Sequence, residues 1–247
     1  MHMRRKPWAR PELSVCPYYY DMPSTMRGKW RTQFKNPDAP LCVEMGCGKG
    51  VSTTQMAWNN QNINYIALDV GRDVLGVFRR NVAAQWGEKE VDNLKLGACN
   101  IEYISQVFAP EDGVERIYIH FCNPWSQKKK RDKRRLTHPR QLMQYRDFLK
   151  EDGEIYFKTD HDGLFDDSIK YFAQAGFEIT YLTRDLHASG FEPNYQSEHE
   201  KMYAGMGVPI KFLIARKAQM PDVAFVDEED DAEDEAEELT QDQADDR

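Results

Sequence analysis

Glu44, Asp69, Asn123 and Asp160 each lie at or near the end of a short apolar run, and Asn100 follows shortly after another. Side chains of these types can accept hydrogen bonds from ribose hydroxyls, face a cationic group or meet an adenine amino group. Beside the first of them runs Gly46-Cys47-Gly48-Lys49-Gly50. Three alternating glycines let backbone press against a ligand with no Cβ in the way. Together these residue types describe a nucleoside-binding corner. An ordinary glycine turn between a strand and a helix has the same local pattern.

Two familiar glycine loops are excluded by spacing. A P-loop needs Ser or Thr after its Gly-Lys and a Gly at position 43; this chain has Gly50 and Val43. The dinucleotide fingerprint needs Gly or Ala at position 51, which is Val51. The pattern that remains is Gly-x-Gly-x-Gly, with Glu44 two residues before it.

The elements that must position these groups alternate. Strands are expected at 41–45, 63–69, 93–97 and 115–121, with helices at 52–60 and 73–86 and a short helix at 101–107. A helix at 140–150, a strand at 154–158, a helix at 163–174 and a strand at 177–183 continue the series. Residues 184–206 read as loop, and strand 209–215 closes the sheet, most simply as an antiparallel edge. The expected fold is α/β and Rossmann-like: a mostly parallel sheet with an antiparallel edge strand and helices on both faces. In such sheets ligands bind beyond the carboxyl ends of the strands. Glu44, Asp69, Asn123 and Asp160 then share one rim.

Length and charge divide the chain further. At 247 residues it fits one α/β domain with extensions. Residues 222–247 carry 14 acidic residues and one Arg, a net of −13. Taking that tail from the whole-chain −8 leaves the body at +5. The organisation expected is a basic and aromatic arm at 1–36, a catalytic-type domain at 37–220 and an acidic, disordered tail at 221–247. In the arm, cations alternate with Trp8, Tyr18, Tyr19, Tyr20, Trp30 and Phe34, a mixture that suits RNA. For Trp30 and Phe34, packing on the core is the better reading.

The third informative stretch is Asn123-Pro124-Trp125, followed by Lys128, Lys129, Lys130, Arg131, Lys133, Arg134 and Arg135. A charge run is usually a solvated face. Directly behind a cleft residue it surrounds the mouth of the site with cations and favours a nucleic-acid substrate. No apolar run is long enough to span a membrane. The five cysteines are scattered without metal-ligand spacing, so a reducing cytoplasm and no metal are expected. The sequence leaves monomer and homodimer open.

Several separated stretches then agree. Arg5-Lys6-Pro7-Trp8-Ala9, Gly28-Lys29-Trp30, Val43 through Gly50, Ala67-Leu68-Asp69, Asn123-Pro124-Trp125, Lys133-Arg134-Arg135-Leu136-Thr137 and Thr159-Asp160 together resemble the bacterial tRNA (guanine-N7-)-methyltransferases. The resemblance covers about residues 4–217. It implies methyl transfer from S-adenosylmethionine to N7 of a guanine in the tRNA variable loop. Carried over, Glu44, Gly46, Gly48, Asp69, Asn100 and Asn123 would line the cofactor site. Lys128, Asp160, Ser197, Glu198, His199 and Glu200 would hold tRNA. Asp160 and Glu200 could read the N1–H and N2–H₂ donors of guanine, and residues 128–135 could hold phosphates.

Three departures stand out. Asn123 occupies the position of the family's usual catalytic Asp, Asn100 replaces another Asp, and Ser197-Glu198-His199-Glu200 replaces Thr-Lys-Tyr/Phe-Glu. They keep open a catalytically impaired S-adenosylmethionine-binding RNA protein. A methyltransferase of a non-tRNA substrate is a further alternative.

Overall fold

The computed structural model describes residues 5–125 and 129–221, the side chains of 129–131 excepted. Lys128 and the acidic tail therefore lie outside the described residues. The elements in chain order are α1 (Ala9–Ser14), β1 (Tyr19–Tyr20), β2 (Leu41–Met45), α2 (Val51–Asn59), β3 (Asn64–Asp69), α3 (Arg72–Trp86), β4 (Leu94–Ala98), β5 (Val114–His120), α4 (Pro139–Phe148), β6 (Leu149–Thr159), α5 (Asp162–Gln174), β7 (Phe177–Thr183), α6 (Glu198–Gly205) and β8 (Lys211–Lys217), with short 3-10 turns between some of them.

The strands form one sheet in the order β1-β4-β3-β2-β5-β6-β8-β7. Every residue of β2 is buried, as a central strand covered on both faces requires. From β1 to β6 all neighbours run parallel. The order turns back between β2 and β5, which places the switch-point crevice beyond Met45 and His120.

Register puts the polar residues of the centre on one face. Glu44 lies opposite Tyr118, Tyr118 opposite Tyr156, and His120 opposite Lys158. Side chains on a strand alternate with period two. Glu44, Tyr118, His120, Tyr156 and Lys158 therefore point the same way, towards the side where Thr53 of α2 meets Glu44.

Two expectations change here. β8 is antiparallel as expected, but it is inserted between β6 and β7, so β7 forms the edge. Residues 184–206 are not all loop, since α6 occupies Glu198–Gly205. Ser197 caps it, its hydroxyl oxygen accepting from the Glu200 N–H at 3.1 Å.

The N-terminal arm is stitched to the sheet. Trp30 is fully buried, with its indole N–H on the Val107 carbonyl at 3.0 Å, and Phe34 is buried beside it. Arg31 donates to the Asp112 and Gly113 carbonyls and pairs with Glu115, so this cation of the arm is spent inside the protein.

Candidate functional site

The crevice is built on the turn after β2. The Gly46 and Cys47 N–H groups both donate to the Leu68 carbonyl, at 2.9 and 3.0 Å, which bends the chain back over β3. Gly50 caps α2 in the left-handed region at φ 64°, and a Cβ there would sit 2.3 Å from the Phe78 ring. Gly48 is also left-handed, but a Cβ on it would meet nothing within 4 Å. Its face is open to the rim of the sheet.

Asp69 closes this corner. One carboxylate oxygen accepts from the Gly48 N–H at 2.9 Å and the other from the Gly71 N–H at 2.8 Å. Burial raises its carboxyl above the ordinary range, against the pull of the Gly71, Gly48 and Val70 N–H groups. Each oxygen keeps a further lone pair, as ribose recognition needs. The glycine turn, the N-terminus of α2 and a carboxylate at the end of the neighbouring strand fit a nucleoside whose far end reaches Glu44.

Glu44 is almost fully buried at 3% exposure. The Thr53 hydroxyl donates to one of its oxygens, and His120 Nδ1 lies 3.2 Å from the other. Burial pushes its carboxyl up to about 8, with Lys158 opposing and Asp69 adding to the shift. Asn100 caps the 3-10 turn at Ile101–Gln106, its Oδ1 accepting from the Glu102 N–H at 3.1 Å. It stands just past Cys99, whose N–H donates to the Asp69 carbonyl, so it borders the same corner.

Asn123 shapes the second wall. Its Oδ1 accepts from the Trp125 N–H at 3.0 Å, and Phe121 and Trp125 both take positive φ, 54° and 48°. The loop is held from behind by Arg135, which sequence reasoning had grouped with the phosphate-binding cations. Arg135 is 5% exposed; it donates to the Pro124 carbonyl at 2.8 Å and pairs with Asp167 and Asp132, each at 2.8 Å. It positions the Asn-Pro-Trp loop and is not available to a phosphate. Arg135→Ala is expected to lower kcat about tenfold or more while changing the salt dependence of tRNA binding little. A loss of salt slope with unchanged kcat would instead make Arg135 a phosphate contact.

The third wall comes from Asp160 at the end of β6 and from α6. His199 Nε2 lies 3.2 Å from Asp160 Oδ1, and this hydrogen bond first of all holds the Asp160 carboxyl below its usual range. The His199 ring stacks on Tyr203, with centroids 4.3 Å apart, and tilts against Phe121 at 4.8 Å. Glu198 pairs with Lys49 of the glycine turn at 2.5 Å, so the segment assigned to tRNA is tied to the cofactor corner.

Glu200 departs from expectation. It is fully buried, and its carboxylate is taken by Lys158 at 3.2 Å, His187 at 3.1 Å and the Asn194 amide at 2.8 Å. It braces the 187–200 segment from inside and does not present itself to a base. Of the two carboxylates expected to face guanine, Asp160 is the one that keeps partial exposure. Ser197 likewise serves as the α6 cap.

Thus Glu44, Gly46, Gly48, Asp69 and Asn100 gather at one corner, with Glu198 joined to it through Lys49. Asp160 and His199 meet across the β6 end. His120, Lys158 and Thr53 were missed as working residues, and Arg135 was given another role. For His120 and Lys158 the available signal was an imidazole or ammonium side chain closing the apolar stretch of a strand. Among the described residues there is no group of His, Cys, Asp or Glu able to hold a metal ion, and no helix is long and apolar enough to cross a membrane.

Residues 38–213 match a family model described as "Putative methyltransferase". The tRNA (guanine-N(7)-)-methyltransferase of Clostridium botulinum (strain Alaska E43 / Type E3) is 52% identical over 219 residues, 88% of this chain and 99% of that protein. The protein of the same name from Clostridium beijerinckii is 53% identical over 219 residues, again 88% and 99%. Among solved structures, an antibiotic-related methyltransferase aligns at TM-score 0.53 and 17% identity, over 76% of this chain and 90% of that one. The 16S rRNA methyltransferase KamB aligns at 0.53 and 13%, over 76% and 91%. At such identities the structural likeness speaks for the fold alone.

Proposed function

The chain belongs to the tRNA (guanine-N(7)-)-methyltransferase family, and on that premise we propose that it transfers methyl from S-adenosylmethionine to N7 of a variable-loop guanine through the residues of this crevice. The observation that carries the reading is the corner itself: Asp69 accepting from the N–H of an open-faced Gly48, with Glu44 on the adjacent strand. When bound, S-adenosylmethionine supplies a methyl group on a positively charged sulfur.

The protein's share of the work is placement. Asp69 takes the ribose hydroxyls, Glu44 the amino-acid end, and Asn100 borders the adenine. Guanine N7 carries a lone pair and no proton, so no residue need act as a general base. Asn123 holds the loop over the reacting atoms, and the crevice supplies alignment and excludes water. Asp160, steadied by His199, accepts from the guanine edge. With Arg135 excepted, the basic run at 128–134 would hold backbone phosphate; Lys128 lies outside the described residues.

Asn123 cannot offer charge to the cationic product ring. Asn123→Asp keeps an acceptor for the Trp125 N–H and adds that charge. Turnover is expected to be preserved or to rise up to about tenfold, measured as kcat on unmodified tRNA. An abolished rate would remove Asn123 from the reacting centre.

The overall test is direct. Incubation with methyl-labelled S-adenosylmethionine and unmodified tRNA should place label on N7 of a variable-loop guanine. Binding of both ligands without transfer would mean an impaired RNA-binding protein. No affinity for tRNA even at low salt would mean another substrate.

A further inference from the structure

Between the central strands lies a buried pair that positioning alone does not use. Glu44 and His120 touch through Oε1 and Nδ1 at 3.2 Å. His120 is 9% exposed, and its Nε2 is buried with no hydrogen-bond partner among the described residues. Facing the pair are Lys158 from β6, Asp69 from β3 and Thr53 from α2, with the Tyr118 ring 5.4 Å from that of His120. A carboxyl and an imidazole removed from water share a hydrogen bond, and among the described residues no lysine or arginine bonds directly to that carboxyl.

We propose that Glu44 and His120 together hold a proton that is surrendered to solvent when the donor's ammonium group docks on Glu44, so that His120 is a positioning residue which sets the charge of the cofactor site. This rests on the reading that S-adenosylmethionine places its amino-acid end at Glu44.

The proton count follows from the atoms. Burial lifts Glu44 to about 8, while burial and the Lys158 charge drive His120 well below its usual range. At neutral pH the pair is then a carboxylic acid beside a neutral imidazole, the Glu44 O–H donating to Nδ1 and the imidazole proton on Nε2. That leaves Nε2–H as the orphaned group seen in the fold. An ammonium arriving at Glu44 requires a carboxylate. The carboxyl proton passes to Nδ1, which donates it back as a hydrogen bond, and the Nε2 proton departs to buffer. Two protons become one, and the imidazole never carries charge beside Lys158.

The sign is fixed by this balance. Below about pH 8 Glu44 must lose its proton to bind, so affinity should rise about tenfold per pH unit from pH 6 to 7.5 and level off above 8. S-adenosylhomocysteine carries the same ammonium and is a suitable probe. Calorimetric titration of the full chain at pH 7 in two buffers of different ionisation enthalpy counts the protons released. Close to one proton is expected for the native protein. Glu44→Gln should release essentially none. His120→Asn, whose amide N–H can donate to a Glu44 carboxylate already in the free protein and so favours the ionised form there, should bind with a flatter pH profile and release fewer protons than the native chain. Tight binding with no proton release and no pH dependence would overturn the pair's role while leaving the cofactor reading intact. No binding of the probe at any pH would overturn both.

Discussion

Asp69→Ala should weaken S-adenosylhomocysteine binding by about 10²-fold while leaving tRNA affinity within a factor of about two. Two effects add. The proposed ribose contacts are charge-assisted hydrogen bonds, worth about 1.5–3 kcal/mol each when both partners are in place. The carboxylate also holds the glycine turn through Gly48 N–H and its own turn through Gly71 N–H. With roughly 1.4 kcal/mol per tenfold, the loss of even one ribose contact plus a loosened turn reaches that figure. Asp69→Asn separates the contributions, since its amide oxygen can still accept one backbone N–H. It should fall between the two. A dissociation constant within threefold of native for Asp69→Ala would place the nucleoside elsewhere.

Lys158→Met should cost about 3–5 kcal/mol of stability, because it leaves the Glu200 carboxylate buried without its cation. Glu200 is fully buried and Lys158 is 6% exposed, so water cannot compensate. His187 and Asn194 remain, but neither carries a fixed charge. For a domain of this size the midpoint of thermal unfolding should drop by roughly 6–20 °C. The double variant Lys158→Met with Glu200→Leu should recover most of that loss, since an apolar pair of similar volume avoids desolvating two charges. A single-variant shift below about 2 °C would mean that the ion pair is not closed in solution. Recovery of stability in the double variant without recovery of tRNA methylation would show that the 187–200 segment must be braced by a polar contact to keep His199 on Asp160.

Much of this molecule could be read before folding was considered. The bounds of β2 and β7 were legible to the residue, because Pro40 and Gly46 bracket a run that is apolar but for Glu44, and Gly176 and Arg184 bracket an alternating one. The glycine corner and Asp69 were legible because their spacing is local. The place of β8 was not, since strand order depends on pairings made far along the chain: β8 pairs with both β6 and β7. α6 was hidden by its eight residues and scattered apolar positions, although Ser197-x-x-Glu200 is a cap signature that could have flagged it. There the usual reciprocal bond is forgone, and the Glu200 carboxylate turns inward to a lysine 42 residues earlier. Arg135 shows the same limit. Within a run of cations nothing local distinguishes the one that is buried; its partners are the Pro124 carbonyl, Asp132 and Asp167.

In the proposed complex a nucleoside-bearing methyl donor lies over the glycine turn with its sugar on Asp69 and its amino-acid end at Glu44. A crystal structure with S-adenosylhomocysteine bound tests it most directly. Ribose hydroxyls should lie within hydrogen-bond distance of the Asp69 carboxylate, and an ammonium beside Glu44. A nucleoside found away from Gly48, with Asp69 and Glu44 untouched, would contradict it.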